Sequence, residues 1–133
     1  AAGPADFTLT SRALSSPSPG DADAERTARS LFDAPEAFEA WAERWRVRLV
    51  DENIPDLERM AKMKRVNPQF IPRNHRIQQA IDAWVDDQDR QPFDDLLSVT
   101  ARPFEEATDL ADLADYAKPP QPDEVVHQTF CGT

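Results

Sequence analysis

The chain has 133 residues, with 15 lysines and arginines against 25 aspartates and glutamates, so its formal charge is −10. Such an acidic chain would repel a phosphate backbone, which argues against nucleic acid as a partner. No stretch approaches the roughly 18 apolar residues that a membrane-spanning helix needs, so no membrane partner is expected. Cys131 is the only cysteine and there are two histidines, which excludes an internal disulfide and argues against a metal site. These features favour a soluble, cytoplasmic protein of a single domain.

The start of the chain leaves two interpretations open. The sequence begins with Ala1, and methionine occurs only at positions 60 and 63. The chain is therefore either the last part of a longer protein or a protein that lost its initiator methionine before a small residue.

The N-terminal region is predicted to be a short helix followed by an irregular segment. A helix over Asp6 to Leu14 would be too short to be stable without a docking surface. Residues 15–30 are predicted to be a flexible linker, since the run SSPSPGDADA has no large apolar side chain. The chain is thus divided into an N-terminal helical segment (1–14), this linker, a helical domain (31–117) and an extended tail (118–133).

An all-α fold is predicted for the helical domain, because apolar residues recur at intervals of three and four and no alternating pattern competes. The longest helix should begin at Asp33-Ala34-Pro35. Glu43 and Arg46 are close enough along it to form an ion pair across one turn. Its apolar face is formed by four large side chains: Phe38, Trp41, Trp45 and Leu49.

About five helices are expected in all. One should begin near Asn53 and end at Asn67-Pro68, because a residue before proline is disfavoured in a helix. Asn74 is a candidate N-cap for the next, and Pro92 should set the first turn of another, which Pro103 ends. A short last helix and the extended tail follow. The apolar residues of these three helices are Ile77, Ala80, Ile81, Trp84 and Val85, then Phe93, Leu96, Leu97 and Ala101, then Leu110, Leu113 and Ala114.

No residue is assigned a catalytic or metal-binding role from the sequence pattern. The acidic residues around Asp86 lack the EF-hand spacing and its central glycine. The three glycines form no phosphate-binding loop. His75 lies in a turn with two prolines, where a hydrogen-bonding strut is the expected role. Six cations and no acid lie between Arg59 and Arg76, and a solvated helix face is the common explanation of such a run.

Cys131 lies third from the end of the sequence, in a segment with few helix signals. Such a thiol could exchange with a partner thiol, or it could be an inert unpaired side chain. The sequence leaves both possibilities open.

Several motifs resemble those of the selenoprotein O family, also called SelO or YdiU. Met63 to Arg76 resembles the signature M-x-x-V-N-P-x-F-I-P-R-N-H-R, and Asp6 to Leu14 resembles D-[FY]-T-L-x-F-R-x-L. Trp41 to Leu49 resembles W-x-x-x-W-x-x-R-L, and Tyr116 to Thr133 resembles Y-x-x-P-P…Q-T-F-C-G-T. The sequence departs from the pattern at Ser11, where the family has phenylalanine. The resemblance covers most of the chain.

The resemblance implies a parent enzyme of which this chain is the C-terminal helical region. Members of the family are bacterial and eukaryotic pseudokinases that transfer AMP from ATP, with Mg²⁺ or Mn²⁺, to protein hydroxyls. The family's nucleotide and metal residues have no match here. The implied partners are therefore an upstream kinase-like domain in the same polypeptide and protein substrates, and this chain alone should bind no cofactor and be inactive. A cytoplasmic, bacterial protein is expected.

Two kinds of residue carry over from the family. Cys131 matches the position that is thought to pair with a kinase-domain cysteine, which implies redox control. The signature is interpreted as structural, with its arginines tied to backbone carbonyls or carboxylates. Its residues are Asn67, Pro68, Phe70, Ile71, Pro72, Arg73, Asn74, His75 and Arg76.

An alternative belongs to a different class of function. The chain could be an independent helical protein-interaction module without catalytic activity. Its partner would dock on the face formed by Phe38, Trp41 and Trp45 or on the acidic second half, where 13 acidic residues lie between Asp82 and Glu124.

Overall fold

The computed structural model describes residues 5–15, 21–32 and 34–128. These residues form helices and no strands, which confirms the all-α prediction. In this described part there are six α-helices and one 3-10 helix, where about five helices were expected. They are α1 (Phe7–Ala13), α2 (Ala22–Ser30), α3 (Pro35–Glu52), α4 (Asp56–Lys64), α5 (Asn74–Asp87), α6 (Gln91–Thr100) and the 3-10 helix Ala111–Ala117. None of these helices has the length and apolar character needed to cross a membrane.

The chain divides into two compact units, residues 1–68 and residues 69–133. The helical domain expected over residues 31–117 contributes to both units. Each unit has a buried apolar cluster of its own. Apolar periodicity along single helices could not show whether the chain has two such clusters or one shared core.

The first unit is built around α1, α2 and α3. Asp6 caps α1 by accepting a hydrogen bond from the Leu9 amide at 2.9 Å. α1 packs against α2, and α2 packs against α3. The cluster that these helices bury consists of Leu14, Ala28, Phe38 and Ala42. Burial of Leu14 at its end gives α1 the docking surface that so short a helix needs.

Helix α2 corrects the linker prediction. Residues 22–30 were expected to be irregular, but they form a helix that Asp21 begins by accepting hydrogen bonds from the amides of Asp23 and Ala24. Ala28 on this helix is completely buried. The sequence did not predict this helix because it follows two prolines and contains alanines in place of large apolar side chains. Residues 16–20 lie outside the described part.

Helix α3 begins at Pro35, close to the predicted start, and carries a row of aromatic rings. Phe38 is buried, and its ring centroid lies 5.2 Å from that of Phe32 and 5.9 Å from that of Trp41. Trp41 and Trp45 are stacked, with centroids 5.6 Å apart. The helix ends at Asn53, which has a left-handed backbone (φ 48°) that asparagine adopts more readily than most residues.

Arg46 on α3 pairs with a residue that the sequence did not suggest. It forms a two-pronged ion pair with Glu25 of α2, in which Nε lies 2.8 Å from Oε1. Glu43, the expected partner, contributes only a longer-range attraction. The hydrogen bonds and charge of Glu25 raise the pKa of Arg46.

The second unit packs α5 against α6, and α6 against the 3-10 helix. Its buried cluster consists of Phe70, Leu96, Val99 and Ala117. The predicted last helix is present at Ala111–Ala117, but as a 3-10 helix. The apolar stripe of α5 is largely uncovered: Ile81, Trp84 and Val85 are exposed, whereas Ala80 is buried.

Two predictions about the ends of this unit differ from the structure. Asn74 is the first residue of α5, and the N-cap is Arg73, which makes no side-chain capping hydrogen bond. The tail is not extended throughout, because residues 122–124 form a turn closed by the Glu124 amide and the Gln121 carbonyl at 2.9 Å. Residues 129–133, which include Cys131, lie outside the described part.

Candidate functional site

The segment from Asn67 to Arg76 is divided between the two units: Asn67 and Pro68 belong to the first and the remainder to the second. Its role can therefore be judged from the contacts that each part makes within its own unit.

Asn67 is held by the N-terminal helix. Arg12 of α1 is 9% exposed, and its Nη1 donates to the carbonyl oxygens of Lys64 at 3.0 Å and of Asn67 at 2.9 Å. The Asn67 side-chain amide donates to Ser15 Oγ at 3.0 Å, and that hydroxyl donates to the Ser11 carbonyl at 2.8 Å. Arg12 thus satisfies the Lys64 carbonyl at the C-terminal end of α4, where a helix leaves carbonyls without partners, and the Asn67 carbonyl in the segment that follows.

Phe70 anchors the part of the segment that follows. Its side chain is 1% exposed and lies in the apolar cluster of the second unit. The amides of Gln69 and Phe70 both donate to the Pro103 carbonyl, at 2.7 and 3.1 Å. Pro103, which follows α6, therefore helps to fix the path of this segment. Ile71 is partly buried and Pro72 is exposed.

His75 lies in the first turn of α5 and is 3% exposed. Among the described residues its Nε2 has no hydrogen-bond partner. Burial, which disfavours the charged ring, lowers the pKa of His75, and the positive charges of Arg76 and Arg73 lower it further against an opposing effect of Glu124. The imidazole is therefore biased towards its neutral form.

Arg76 links α5 to the 3-10 helix. Nη1 donates to Gln79 Oε1 at 2.9 Å, and Nη2 donates to the Asp115 carbonyl at 2.9 Å. The guanidinium lies over the Tyr116 ring, 5.3 Å from its centroid, in the geometry of a cation–π contact. Burial raises the pKa of the Tyr116 phenol, with a further contribution from Asp95.

The sequence did not indicate Gln79 and Glu124, which complete the surroundings of His75 and Arg76. Gln79 Nε2 donates to Glu124 Oε1 at 3.0 Å. The backbone amide of Gln121 donates to the other carboxylate oxygen at 2.8 Å, and this hydrogen bond lowers the pKa of Glu124. The spacing of four residues between His75 and Gln79 places both on one helix face, but nothing in the sequence linked that face to the tail.

In the described ranges there is no group of three or more His, Cys, Asp or Glu side chains that could hold a metal. The chain also has no glycine-rich loop. The buried arginines are engaged instead with the protein itself, as Arg59 is with Asp56 at 2.8 Å. Near His75, the side chains of Arg76, Gln79 and Glu124 are engaged in hydrogen bonds within the second unit.

Comparison with known proteins places these residues in a family. The profile of the family described as protein adenylyltransferase SelO matches residues 7–101. Proteins described as protein nucleotidyltransferase YdiU also match. The one from Bradyrhizobium sp. (strain ORS 278) is 51% identical over 129 residues, which is 97% of this chain and 25% of that protein. The one from Rhizobium meliloti is 52% identical over 131 residues, 98% of this chain and 26% of that protein.

A third such protein, from Rhodopseudomonas palustris (strain ATCC BAA-98 / CGA009), is 50% identical across the whole chain. The chain spans about a quarter of the length of the curated relatives that it matches. No solved structure gives a significant match. Because the profile covers most of the chain and the identity to these relatives extends from end to end, the chain belongs to the SelO family.

Proposed function

We propose that this chain is the C-terminal helical accessory region of a protein adenylyltransferase. In the longer cytoplasmic protein, a kinase-like domain upstream transfers AMP from ATP to hydroxyl groups of protein substrates, and the family resemblance implies that it uses Mg²⁺ or Mn²⁺. The observation that carries the proposal is an identity of about one half over the whole chain to proteins about four times as long.

The proposal gives the family signature a structural role. Three contacts support it. Arg12 binds the carbonyl of Asn67, Phe70 fills the apolar cluster, and Arg76 binds the carbonyl of Asp115. None of these side chains is free to reach a substrate without giving up a contact within its own unit. This chain then contributes to the reaction by forming the folded C-terminal region. The residues that contact the reacting atoms would lie in the upstream domain.

Isotope position tests the reaction. The longer protein and this chain are incubated separately with metal ion and ATP labelled on the α- or the γ-phosphate. We expect α-label on protein from the longer form and none from this chain. Label from the γ-phosphate would identify an ordinary kinase, and absence of any transfer by the longer protein would contradict the proposal.

We further propose that Cys131, which lies outside the described residues, provides redox control. Its thiol and a cysteine thiol of the upstream region would form a disulfide. The two sulfurs lose two protons and two electrons, which an oxidant such as a small-molecule disulfide accepts as it is reduced to two thiols. The basis for this is the family resemblance of the ending, because the residue's surroundings are not described.

The redox proposal has a direct test in the longer protein. Activity of the wild type should change between oxidised and reduced glutathione, and Cys131→Ser should remove that response. Equal sensitivity of the wild type and the variant would contradict redox control and leave the adenylyl-transfer proposal untouched.

The interaction-module alternative receives little support from the first unit. Its proposed docking face uses Phe38, which is 2% exposed, and Trp45, which packs against the same cluster. Trp41 is 39% exposed and is the one member of that face open to a partner. The face therefore belongs mainly to the unit's own core.

A further inference from the structure

Five large apolar side chains of the second unit lie exposed on two helices that pack against each other, α5 and α6. Their exposed fractions range from 49% to 69%. One groove is lined by Ile81, Trp84 and Val85 from α5 and by Phe93 from α6. Leu97 lies one turn beyond Phe93 on α6, at the spacing that places two side chains on one side of a helix. These five residues are called the apolar face below.

The core of the second unit leaves the apolar face uncovered. Its buried cluster uses other positions of the same helices: Leu96 and Val99 are buried on α6, and Ile77 of α5 packs against them. The pair of helices therefore buries one side and exposes the other. Single exposed apolar side chains are common on proteins, but a contiguous group of this size is typical of an interaction surface.

Exposed acidic residues lie beside the apolar face along the chain. They are Asp82 and Asp86 on α5, Asp89 after it, and Asp94 on α6. Arg90, the cation that lines the groove, forms an ion pair with Asp94 at 3.1 Å. Because that pair is neutral, the net charge of this set is negative. A complementary partner would therefore present apolar side chains with basic residues around them.

A second copy of this chain does not have that complementary charge. In a two-fold dimer the same surface of each copy meets itself, so Asp82, Asp86 and Asp89 of both copies would lie around one interface. Like charges in such positions disfavour association. The formal charge of −10 on each chain adds a repulsion at longer range.

The rest of the longer protein is an occupant with a basis in the comparisons. The chain matches a curated relative across its whole length and covers 26% of that protein. About three quarters of such a protein therefore lies outside this chain and is available to cover an exposed face. Since it belongs to the same polypeptide, it is present at a high effective concentration, which a separate partner does not have.

We propose that the apolar face of α5 and α6 packs against the upstream part of the longer protein. The upstream surface supplies apolar side chains to the groove and basic residues opposite the neighbouring aspartates. The inference rests on the proposed function in one respect, that this chain is the C-terminal region of a longer protein. It goes further by assigning the surface through which the two parts are joined.

Photo-cross-linking in the longer protein identifies what covers the apolar face. Phe93 is replaced by p-benzoylphenylalanine, an aromatic residue that attaches to neighbouring groups on illumination, and mass spectrometry identifies the attached peptide. Unlabelled and heavy-isotope-labelled proteins are mixed before illumination, so that attachment within one molecule differs in mass from attachment to a second copy. We expect attachment to residues upstream of this chain within the same molecule.

Three results would overturn the proposal. They are attachment to a second copy, attachment to a residue within 1–133, and no attachment. None of them depends on AMP transfer. A longer protein that attaches upstream but transfers no α-label would contradict the proposed enzyme function and leave this interface in place.

Val85 and Val50 provide a matched pair for a second measurement. Each is the third residue from the end of its helix and is followed by two acidic residues. Their exposed fractions are 69% and 70%. Val85 belongs to the apolar face, whereas Val50 lies on α3 in the first unit. The same substitution at the two positions therefore compares the apolar face with another exposed helix surface.

Lysine at each of these positions is tested in the longer protein by hydrogen exchange. Val85→Lys should accelerate exchange of the α5 amides about tenfold or more, because it places a charge in a buried contact. Val50→Lys should accelerate exchange of the α3 amides no more than about twofold, as expected of a surface substitution. An effect of Val85→Lys no larger than that of Val50→Lys would overturn the proposal.

Discussion

The two units of this chain bury charged and polar side chains in different ways. In the described part of residues 1–68, no buried side-chain nitrogen or oxygen lacks a hydrogen-bond partner, and Arg12 alone binds two carbonyls. In residues 69–133, the buried His75 Nε2 and Arg76 Nε have none among the described residues. Because unpaired buried polar groups are costly, the second unit carries a polar cost that the described contacts of the first unit avoid.

The largest expected effects on stability come from substitutions in the two apolar clusters. Phe38→Ala and Phe70→Ala should each cost about 3–5 kcal/mol of unfolding free energy, since each empties a nearly closed site. Hydrogen exchange should show the loss first in α1 to α3 for Phe38→Ala and in α5 and α6 for Phe70→Ala. Equal acceleration across both units for either variant would contradict the description of two separate clusters.

Arg12 tests whether the polar contacts of the first unit are structural. Arg12→Met leaves the carbonyls of Lys64 and Asn67 without their charged donor and should cost about 2–3 kcal/mol. Arg26→Met is the matched control, because the Arg26 side chain is 74% exposed, and its cost should be no more than about 0.5 kcal/mol. Chemical denaturation followed by tryptophan fluorescence measures both. Similar losses of unfolding free energy in the two variants would show that Arg12 contributes no more to stability than an exposed arginine.

A smaller effect is expected from the pH dependence of the second unit. The pKa of His75 is lowered from 6.5 by burial and by the neighbouring arginines. The unfolded chain therefore takes up the proton first, so the contribution of His75 to stability is complete above about pH 6.5 and is lost as the pH falls below it. His75→Gln should reduce this slope of unfolding free energy with pH.

The control for the pH experiment is His127→Gln, the same substitution at an exposed histidine. A wild-type slope in His75→Gln would assign the pH dependence to other groups.

The smallest expected effect concerns the ion pair between Arg46 and Glu25. Both side chains are partly buried, and such pairs contribute about 0.5–1 kcal/mol. A double-mutant cycle with Arg46→Gln and Glu25→Gln measures the coupling. The same cycle with Glu43→Gln in place of Glu25→Gln should give a coupling near zero. A larger value would show that Arg46 pairs with Glu43, as the sequence spacing suggested.

Apolar periodicity predicted the helices that contain large side chains but not the one that lacks them. α3, α5 and α6 repeat aromatic and aliphatic residues every three or four positions, whereas α2 packs through Ala28. Periodicity also identifies an apolar face without showing what covers it, so it could not distinguish the buried Phe38 from the exposed Trp84.

The sequence named His75 and Arg76 as members of a motif, but it could not predict their surroundings. Arg76 reaches Asp115, 39 residues away, and Gln79 reaches Glu124, 45 residues away. Such contacts depend on the path of the tail, which no local pattern fixes. Cys131 remains a prediction of the family resemblance.

The most direct test of the central claim, that the signature supports the fold and does not take part in the reaction, uses Arg76→Met in the longer protein. Transfer of α-label from ATP and the melting temperature are measured on the same sample. A structural role predicts a lower melting temperature, with transfer within about twofold of the wild type below it. An unchanged melting temperature with a loss of about a hundredfold or more in transfer would contradict the account, because losses of that size are typical of residues that act on the reacting atoms.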